Sequence, residues 1–278
     1  MADAPHESSH YNATVIKRID ITPQLAIFQV RPDDNNLAFI PGQFTVLGLT
    51  REAPRVPEAG PGDPYPPEKA GRLIRRAYSI SSGSEEKAFL EFYVSMVTSG
   101  ELTPRIFALQ EGSRLFVGKK ASGVFTLDSV PQDKNILLVG TGTGLAPYIS
   151  MVRTLALGIG CPIRPLAVLH GASYSWDLGY RGELEGLSRQ CPKFGYIPVI
   201  SRPQEDGDWN GRTGRLNDWI THPELPDACG FDLSPEQTHV FLCGNPGMVE
   251  NAAAQLQEKG FDPGSRKEPG NLHLEKYW

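Results

Sequence analysis

Two groups of residues in this 278-residue chain have the types and spacing needed to hold a nucleotide and move charge. In the first, Arg76-Ala77-Tyr78-Ser79 sets a guanidinium, a phenol and a hydroxyl together at the start of an apparent strand. The guanidinium can fork onto a pyrophosphate. The phenol ring can stack on an isoalloxazine, and the hydroxyl can bond near the flavin nitrogen that accepts hydride. A regular strand would turn Tyr78 and Ser79 to opposite faces, and these four residues would also suit an ordinary strand. The next apparent strand is Glu91-Phe92-Tyr93-Val94, after which Gly100-Glu101-Leu102-Thr103-Pro104-Arg105 opens an apparent helix. A glycine, exposed amides and a Thr hydroxyl at a helix start make an anion site. Thr103 as a plain N-cap, with Pro104 at the first helical position, is the simpler reading, and the two are compatible.

The second group lies beyond residue 135. Gly140-Thr141-Gly142-Thr143-Gly144-Leu145-Ala146-Pro147 follows an apolar run and precedes a helical pattern, the context that a dinucleotide-binding turn requires. Its glycines permit a tight turn and close approach of a pyrophosphate. Leu145 stands where the common NAD fingerprint has its third glycine. Cys243-Gly244-Asn245-Pro246-Gly247-Met248 again falls between a strand and a helix. Glycine and proline there describe an open turn at a strand end, where Cys243 would shape a pocket; a buried small apolar residue is the alternative. A 2′-phosphate needs positive groups, which Arg202, Arg212 and Arg215 could supply, or they are ordinary solvated surface.

The elements that position these groups differ between the two halves. Up to about residue 130 the chain reads as short strands, Ala13–Ile19, Gln24–Val30, Gln43–Leu49, Ala77–Ser81, Phe89–Val97 and Arg114–Gly118, with no long helix. That pattern predicts an antiparallel barrel or sandwich. Residues 51–72 are rich in proline and glycine and read as an extended loop inserted between two strands, either a tolerated surface insertion or a lid or partner contact. From Ile136 onward, strands at 136–139, 165–170, 195–200 and 238–243 alternate with helical stretches at 147–157, 182–190 and 246–259. Such alternation predicts a doubly wound parallel sheet. The expected domains are 1–131 and 132–278.

The 40% apolar and 21% charged fractions are those of a globular chain, and a net charge of −5 argues against a broad nucleic-acid-binding face. None of the four cysteines forms a Cys-x-x-Cys pair, so no metal or iron–sulfur site is expected, and Cys161, Cys191 and Cys229 read as free thiols. The N-terminus is polar, without a signal-peptide pattern. No window nears the run of about 20 apolar residues that spans a membrane, and a cytoplasmic monomer is expected.

Taken in order, Pro41-Gly42-Gln43-Phe44, Arg76–Ser79, Gly100–Arg105, Lys120-Ala121-Ser122-Gly123, Gly140–Pro147 and Cys243–Pro246 resemble the ferredoxin–NADP⁺ reductase superfamily in its bacterial form. The resemblance runs from Pro41 to Trp278 and implies a six-stranded antiparallel FAD-binding barrel followed by an NADP(H)-binding domain. It implies that Arg76 and Thr103 meet the FAD pyrophosphate and that Tyr78 and Ser79 meet the isoalloxazine. It adds Ala77, Phe92, Tyr93, Val94, Gly100, Leu102 and Ser122 to the flavin-binding set. On the nicotinamide side it implies Gly142, Thr143, Gly144, Cys243, Gly244, Asn245 and Pro246. Arg202, Arg215 and Ser173 match 2′-phosphate positions, although the family often has arginine where Ser173 stands, and Arg181 or Arg212 could substitute. Ser79, Cys243 and Glu275 are the implied catalytic residues. The terminal Tyr277 and Trp278 resemble those of a bacterial subgroup in which the last Trp lies on FAD; packing on the protein alone is the alternative.

The implied reaction exchanges a hydride with NADP(H) and single electrons with ferredoxin or flavodoxin. Lys69, Arg72, Arg75, Arg105, Lys119 and Lys120 are candidates for a basic docking patch, or for plain solvated surface. A stand-alone NAD(P)H:flavin or oxygenase-component reductase would use the same scaffold. A non-enzymatic nucleotide-binding regulatory subunit is the second alternative, although the tail after Lys259 lacks the cysteines such subunits carry.

Overall fold

The computed structural model describes residues 10–34, 37–265 and 268–276. Tyr277 and Trp278, expected to touch FAD, lie outside the described residues. The chain divides into two compact units between Val124 and Phe125. The sequence reading had put the division a few residues later, after 131. Phe125 stacks edge-on against Phe241 and tilts against Tyr148, so it already belongs to the second unit's interior.

The first unit holds β1 (Ala13–Thr22), β2 (Leu25–Pro32), β3 (Phe44–Thr50), β4 (Leu73–Ser79), β5 (Leu90–Ser95) and β6 (Arg114–Val117). They form a six-stranded sheet in the order β4-β3-β6-β1-β2-β5, and every pair is antiparallel. An Ile80–Phe92 bridge links the chain just after β4 to β5, which rolls the sheet into a barrel. The inside is filled by Val15, Phe28, Val30, Leu47, Leu49, Phe92 and Val94, residues that favour pleated, half-buried strands. One four-residue helix, α1 (Thr103–Ile106), caps the unit with Ile106 and Phe107 in the same core. The 51–72 connection joins β3 to β4 and contains two short 3₁₀ turns, Pro57–Ala59 and Pro67–Lys69.

The second unit alternates as its apolar runs predict: β7 (Asn135–Thr141), α2 (Ala146–Ile159), β8 (Leu166–Ala172), α3 (Arg181–Gln190), β9 (Phe194–Ile200), β10 (Arg212–Thr213), α4 (Leu216–Trp219), α5 (Leu225–Cys229), β11 (Thr238–Gly244), α6 (Pro246–Glu258) and β12 (Leu272–Lys276). All its strand pairs are parallel, in the order β10-β9-β8-β7-β11-β12. The chain therefore builds outward from β7 in one direction and returns to its other side with β11. Such a reversal opens a crevice at the carboxyl ends of the strands, where ligands bind in sheets of this kind.

Cys161 and Cys191 are not free thiols: they form a disulfide, with Cα atoms 5.4 Å apart. The partners stand just after α2 and at the end of α3, and it is the packing of those ends that brings them within bonding range, so spacing along the chain gives no sign of it. Cys229 does keep its thiol, which burial pushes up to about 12. Among the described residues, no helix is long and apolar enough to cross a membrane.

Candidate functional site

In the first unit, the Arg76–Ser79 run is the second half of β4, with Ser79 opposite Phe44 and Tyr78 opposite Thr45 on β3. Arg76 and Ala77 are exposed, Tyr78 is half-buried and Ser79 is buried. The Arg76 Nη1 donates to the Arg75 carbonyl at 2.8 Å, leaving the rest of the guanidinium at the surface. Desolvation of Tyr78 pushes its phenol well above its ordinary value, so the group stays a hydrogen-bond donor at any working pH. Phe92 and Val94 face the barrel core, so what they can offer a ligand is backbone. Tyr93, between them on the strand, lies on the opposite face.

The turn before α1 is unusually tight. A Cβ on Gly100 would sit 2.9 Å from the Val97 carbonyl oxygen and 3.1 Å from Thr103 Oγ1. Thr103 is not the N-cap: Leu102 holds that position, and it supplies no capping side chain. The Thr103 hydroxyl instead folds back on Val97, accepting from its amide at 3.0 Å and donating to its carbonyl at 3.1 Å. A β-branched hydroxyl one residue inside a helix reaches the preceding loop as readily as the helix amides, which is why the sequence could not separate these outcomes. Leu102 is buried in the barrel core, while Ser122 is exposed and paired with Phe44 through backbone bonds in both directions. Arg105, expected at a docking surface, is only 3% exposed and bonds backbone carbonyls, so it leaves the basic patch; Lys69, Arg72, Arg75, Lys119 and Lys120 are exposed.

In the second unit, the ends of β7, β11 and β12 gather the other predicted residues. Cys243 pairs with Gly140 on one side and with Glu275 on the other. Gly142–Leu145 form a 3₁₀ turn leading into α2. A Cβ on Gly144 would fall 2.5 Å from the Cys243 carbonyl oxygen, and one on Gly244 (φ 131°) would fall 2.5 Å from Thr141 Oγ1. The two turns are thus stitched together at backbone distance, and only glycine fits at either point. The Asn245 amide donates to Thr141 Oγ1 at 3.2 Å, and Asn245 Oδ1 caps α6 by accepting from the Met248 amide at 3.2 Å. Pro246 is the first residue of that helix. Tyr148 on α2 locks the arrangement from beneath, with its hydroxyl 3.0 Å from the Val139 carbonyl and 2.8 Å from that of Phe241.

Cys243 is fully buried, and its thiol donates to Glu275 Oε2 at 4.0 Å. Desolvation pushes the Glu275 carboxyl up to about 7, so near neutrality it is divided between acid and carboxylate. Such a group can hold or release a proton without leaving its place.

The third cluster lies at the ends of β8, β9 and β10. Ser173 follows β8, and its carbonyl accepts from the Arg202 amide at 3.0 Å. The exposed Arg202 guanidinium lies 5.7 Å from the Tyr174 ring centre and donates to its hydroxyl at 3.1 Å. Tyr174 in turn donates to Glu205 Oε2 at 2.6 Å and stacks on Trp176 at 4.7 Å. Arg215 is exposed at the N-cap of α4, and Arg212 lies over the Trp219 ring. Arg181, the other candidate substitute at 173, is occupied by Glu185 and by the Trp209 ring. Sequence reasoning missed Tyr174 and Thr141. Both sit directly beside residues it singled out, Ser173 and Gly142, and turn residues next to a motif were the available signal.

Comparison with known proteins gives a family and a fold. A family model for the oxidoreductase NAD-binding domain matches residues 138–254. A protein of Shigella flexneri named flavodoxin/ferredoxin–NADP reductase is 34% identical over 91% of this chain and 93% of its own length. The Escherichia coli protein of the same name is 33% identical over the same shares. A ferredoxin–NADP reductase of Pseudomonas aeruginosa is 28% identical over 86% of this chain and 87% of its own length. Among solved structures, a ferredoxin NADP⁺ reductase from Neisseria gonorrhoeae with bound FAD and NADP superposes with a TM-score of 0.80, at 22% identity, over 97% of this chain and all of that one (100%).

Proposed function

The chain belongs to the flavodoxin/ferredoxin–NADP reductase family, and from that premise we propose that it is an FAD-dependent oxidoreductase exchanging a hydride with NADP(H) and single electrons with ferredoxin or flavodoxin. Bound FAD supplies the conversion between two-electron and one-electron transfer. The observation that carries the reading is the junction of Gly144 with Cys243 and Gly244, closed to any Cβ, at the ends of β7 and β11, in the sheet whose β9 and β10 are followed by the exposed Arg202 and Arg215.

The residues fit the cofactors. Arg76 offers a free-facing guanidinium to a pyrophosphate, and Tyr78 offers a partly exposed ring that stays protonated. The Gly100–Thr103 turn has no room for a side chain at Gly100, which suits close approach of a phosphate to backbone. Ser79, the buried residue that follows Tyr78 on β4, is assigned the hydrogen bond that steadies the flavin nitrogen. In the second unit, the Gly142–Gly144 turn takes the nicotinamide dinucleotide, and Cys243, Asn245 and Pro246 border its ring. Glu275, divided near neutrality between acid and carboxylate, takes or gives a proton beside Cys243. Arg202 and Arg215, with Ser173, take the 2′-phosphate. Lys69, Arg72, Arg75, Lys119 and Lys120 supply positive charge for an acidic carrier. The proposal includes a monomer working in the cytoplasm, checked by size-exclusion chromatography and by fractionation.

Anaerobic mixing of the purified protein with NADPH, and separately with NADH, tests the reading through loss of flavin absorbance near roughly 450 nm. Rapid bleaching by NADPH and slow bleaching by NADH is expected. Purified protein without flavin, or flavin that neither nucleotide reduces, would overturn it. Electron delivery to ferredoxin or flavodoxin, measured against an oxygenase component, decides the carrier.

A further inference from the structure

The 51–72 connection is tied at several points to the Gly100–Thr103 turn. The Arg55 guanidinium spans three carbonyls: Nε donates to Gly60 at 3.1 Å, Nη2 to Ala59 at 3.3 Å and Nη1 to Gly100 at 3.0 Å. The neighbouring Val56 amide donates to the Pro104 carbonyl at 3.1 Å. From the helix side, Arg105 donates through Nη2 to the Arg51 carbonyl at 2.7 Å and through Nη1 to the Glu101 carbonyl. The Glu101 carboxylate lies 3.6 Å from both Arg51 Nη1 and Arg105 Nη1. Gly62 passes so close that a Cβ there would meet Arg105 Nη2 at 3.1 Å.

The turn needs outside support. α1 has only four residues and no capping side chain, so its own hydrogen bonds cannot fix its direction. Within the turn, the Gly100 amide and the Thr103 hydroxyl bind back to the preceding loop, both at Val97. A long proline- and glycine-rich connection of this kind would ordinarily hang in solvent; here its first part, at Arg55 and Val56, is clamped onto Gly100 and Pro104. The Glu101 carboxylate lies between the Arg51 and Arg105 guanidiniums and so joins the connection to the turn from a third point.

We propose that the Arg51–Arg72 connection is a strap that sets the Gly100–Thr103 turn for flavin binding, with Arg55 as its positioning residue and Val56 and Arg105 as its anchors. This rests on the reading above that the turn meets the FAD pyrophosphate.

The test uses the holoprotein, with two readouts on Arg55→Ala, Arg55→Lys and Val56→Pro. Val56 has φ −62°, which proline adopts, so the third variant deletes one amide donor without bending the chain. Flavin release is followed by FAD fluorescence, and amide hydrogen exchange is followed across residues 97–107. The expected result is a roughly tenfold weaker FAD affinity for Arg55→Ala, as suits loss of a charged hydrogen bond to a carbonyl. Val56→Pro should weaken it severalfold, Arg55→Lys should fail to restore it, and exchange should quicken in the 97–107 segment while the KM for NADPH holds. Unchanged exchange overturns the strap. Faster exchange with unchanged FAD affinity overturns its service to the flavin. A wild-type protein that binds no FAD brings down the function proposed above, and unchanged exchange in the same variants would still separately refute the clamp.

Discussion

Cys243 Sγ and Glu275 Oε2 stand 4.0 Å apart because β11 and β12 run parallel in register, with Cys243 opposite Glu275 and Gly244 opposite Lys276. The last strand of the sheet therefore delivers a half-buried carboxyl to a fully buried thiol at the strand ends. Desolvation pushes that carboxyl up to about 7, so it changes charge near neutrality.

Glu275→Gln should flatten the pH profile of flavin reduction by NADPH around pH 7, the value to which burial pushes the carboxyl. The sign for stability follows from the raised value. Wild-type protein gains stability from Glu275 below about 4.5, and this is lost as pH rises through about 7. Denaturant midpoints of wild type and Glu275→Gln should therefore shift relative to one another between those limits, in favour of the glutamine variant at high pH. Parallel midpoints across that range would contradict this.

Removing Arg202 should change cofactor choice and leave the chemistry alone. Arg202→Ala is expected to raise the KM for NADPH roughly tenfold, with kcat and the KM for NADH nearly unchanged, because a guanidinium on a phosphate acts through charge and forked hydrogen bonds that NADH cannot use. Steady-state kinetics with both nucleotides measures it. An equal loss for the two would show that Arg202 does not read the 2′-phosphate.

Gly144→Ala puts a methyl group 2.5 Å from the Cys243 carbonyl oxygen, a backbone atom that can only move with its strand. Overpacking of this kind costs about 1–3 kcal/mol. Thermal midpoint and NADP(H) affinity should fall together. A variant with wild-type values of both would mean that the two turns separate freely.

The Cys161–Cys191 disulfide closes a loop with a sequence separation of 30 residues. By loop-closure entropy it contributes roughly 3.5 kcal/mol. Cys161→Ser with Cys191→Ser should lower the denaturation midpoint accordingly, and a reductant should do the same to wild type but not to the double variant. A reductant without effect on wild type would show the bond to be absent in solution.

Much of this arrangement was legible from the residues. The apolar run Ile136–Val139 with its glycine turn announced β7 and the turn into α2, since a buried parallel strand leaves a continuous signal. β12 was not read as a strand, because Leu272-His273-Leu274-Glu275-Lys276 carries alternating polar residues and lies on an edge, supported only by β11. α4 and α5 are too short to leave a period. In the site, glycines and prolines marked the turns correctly, since backbone demands are local. The direction of a side chain was not legible: Thr103 turns to Val97, and Arg105 turns inward to the Arg51 carbonyl. The Arg105 contact reaches the 51–72 connection 54 positions back along the chain, and the Thr103 contact, though six positions away, competes with the helix amides beside it.

The position of β6 bears on how the barrel comes into being. Its four residues lie between β3 and β1, with Leu115 opposite Ala13 and Val117 opposite Leu47. Without the segment from Arg114 onward, the described strands fall into two ribbons, β4-β3 and β1-β2-β5, joined at the Ile80–Phe92 bridge and at the bonds of Ser81 and Ser82 with Glu91. Each ribbon then shows an unpaired edge, the kind of surface on which incomplete chains associate with one another. The last strand of the first unit to be synthesised is thus the one that joins its two ribbons into a single sheet.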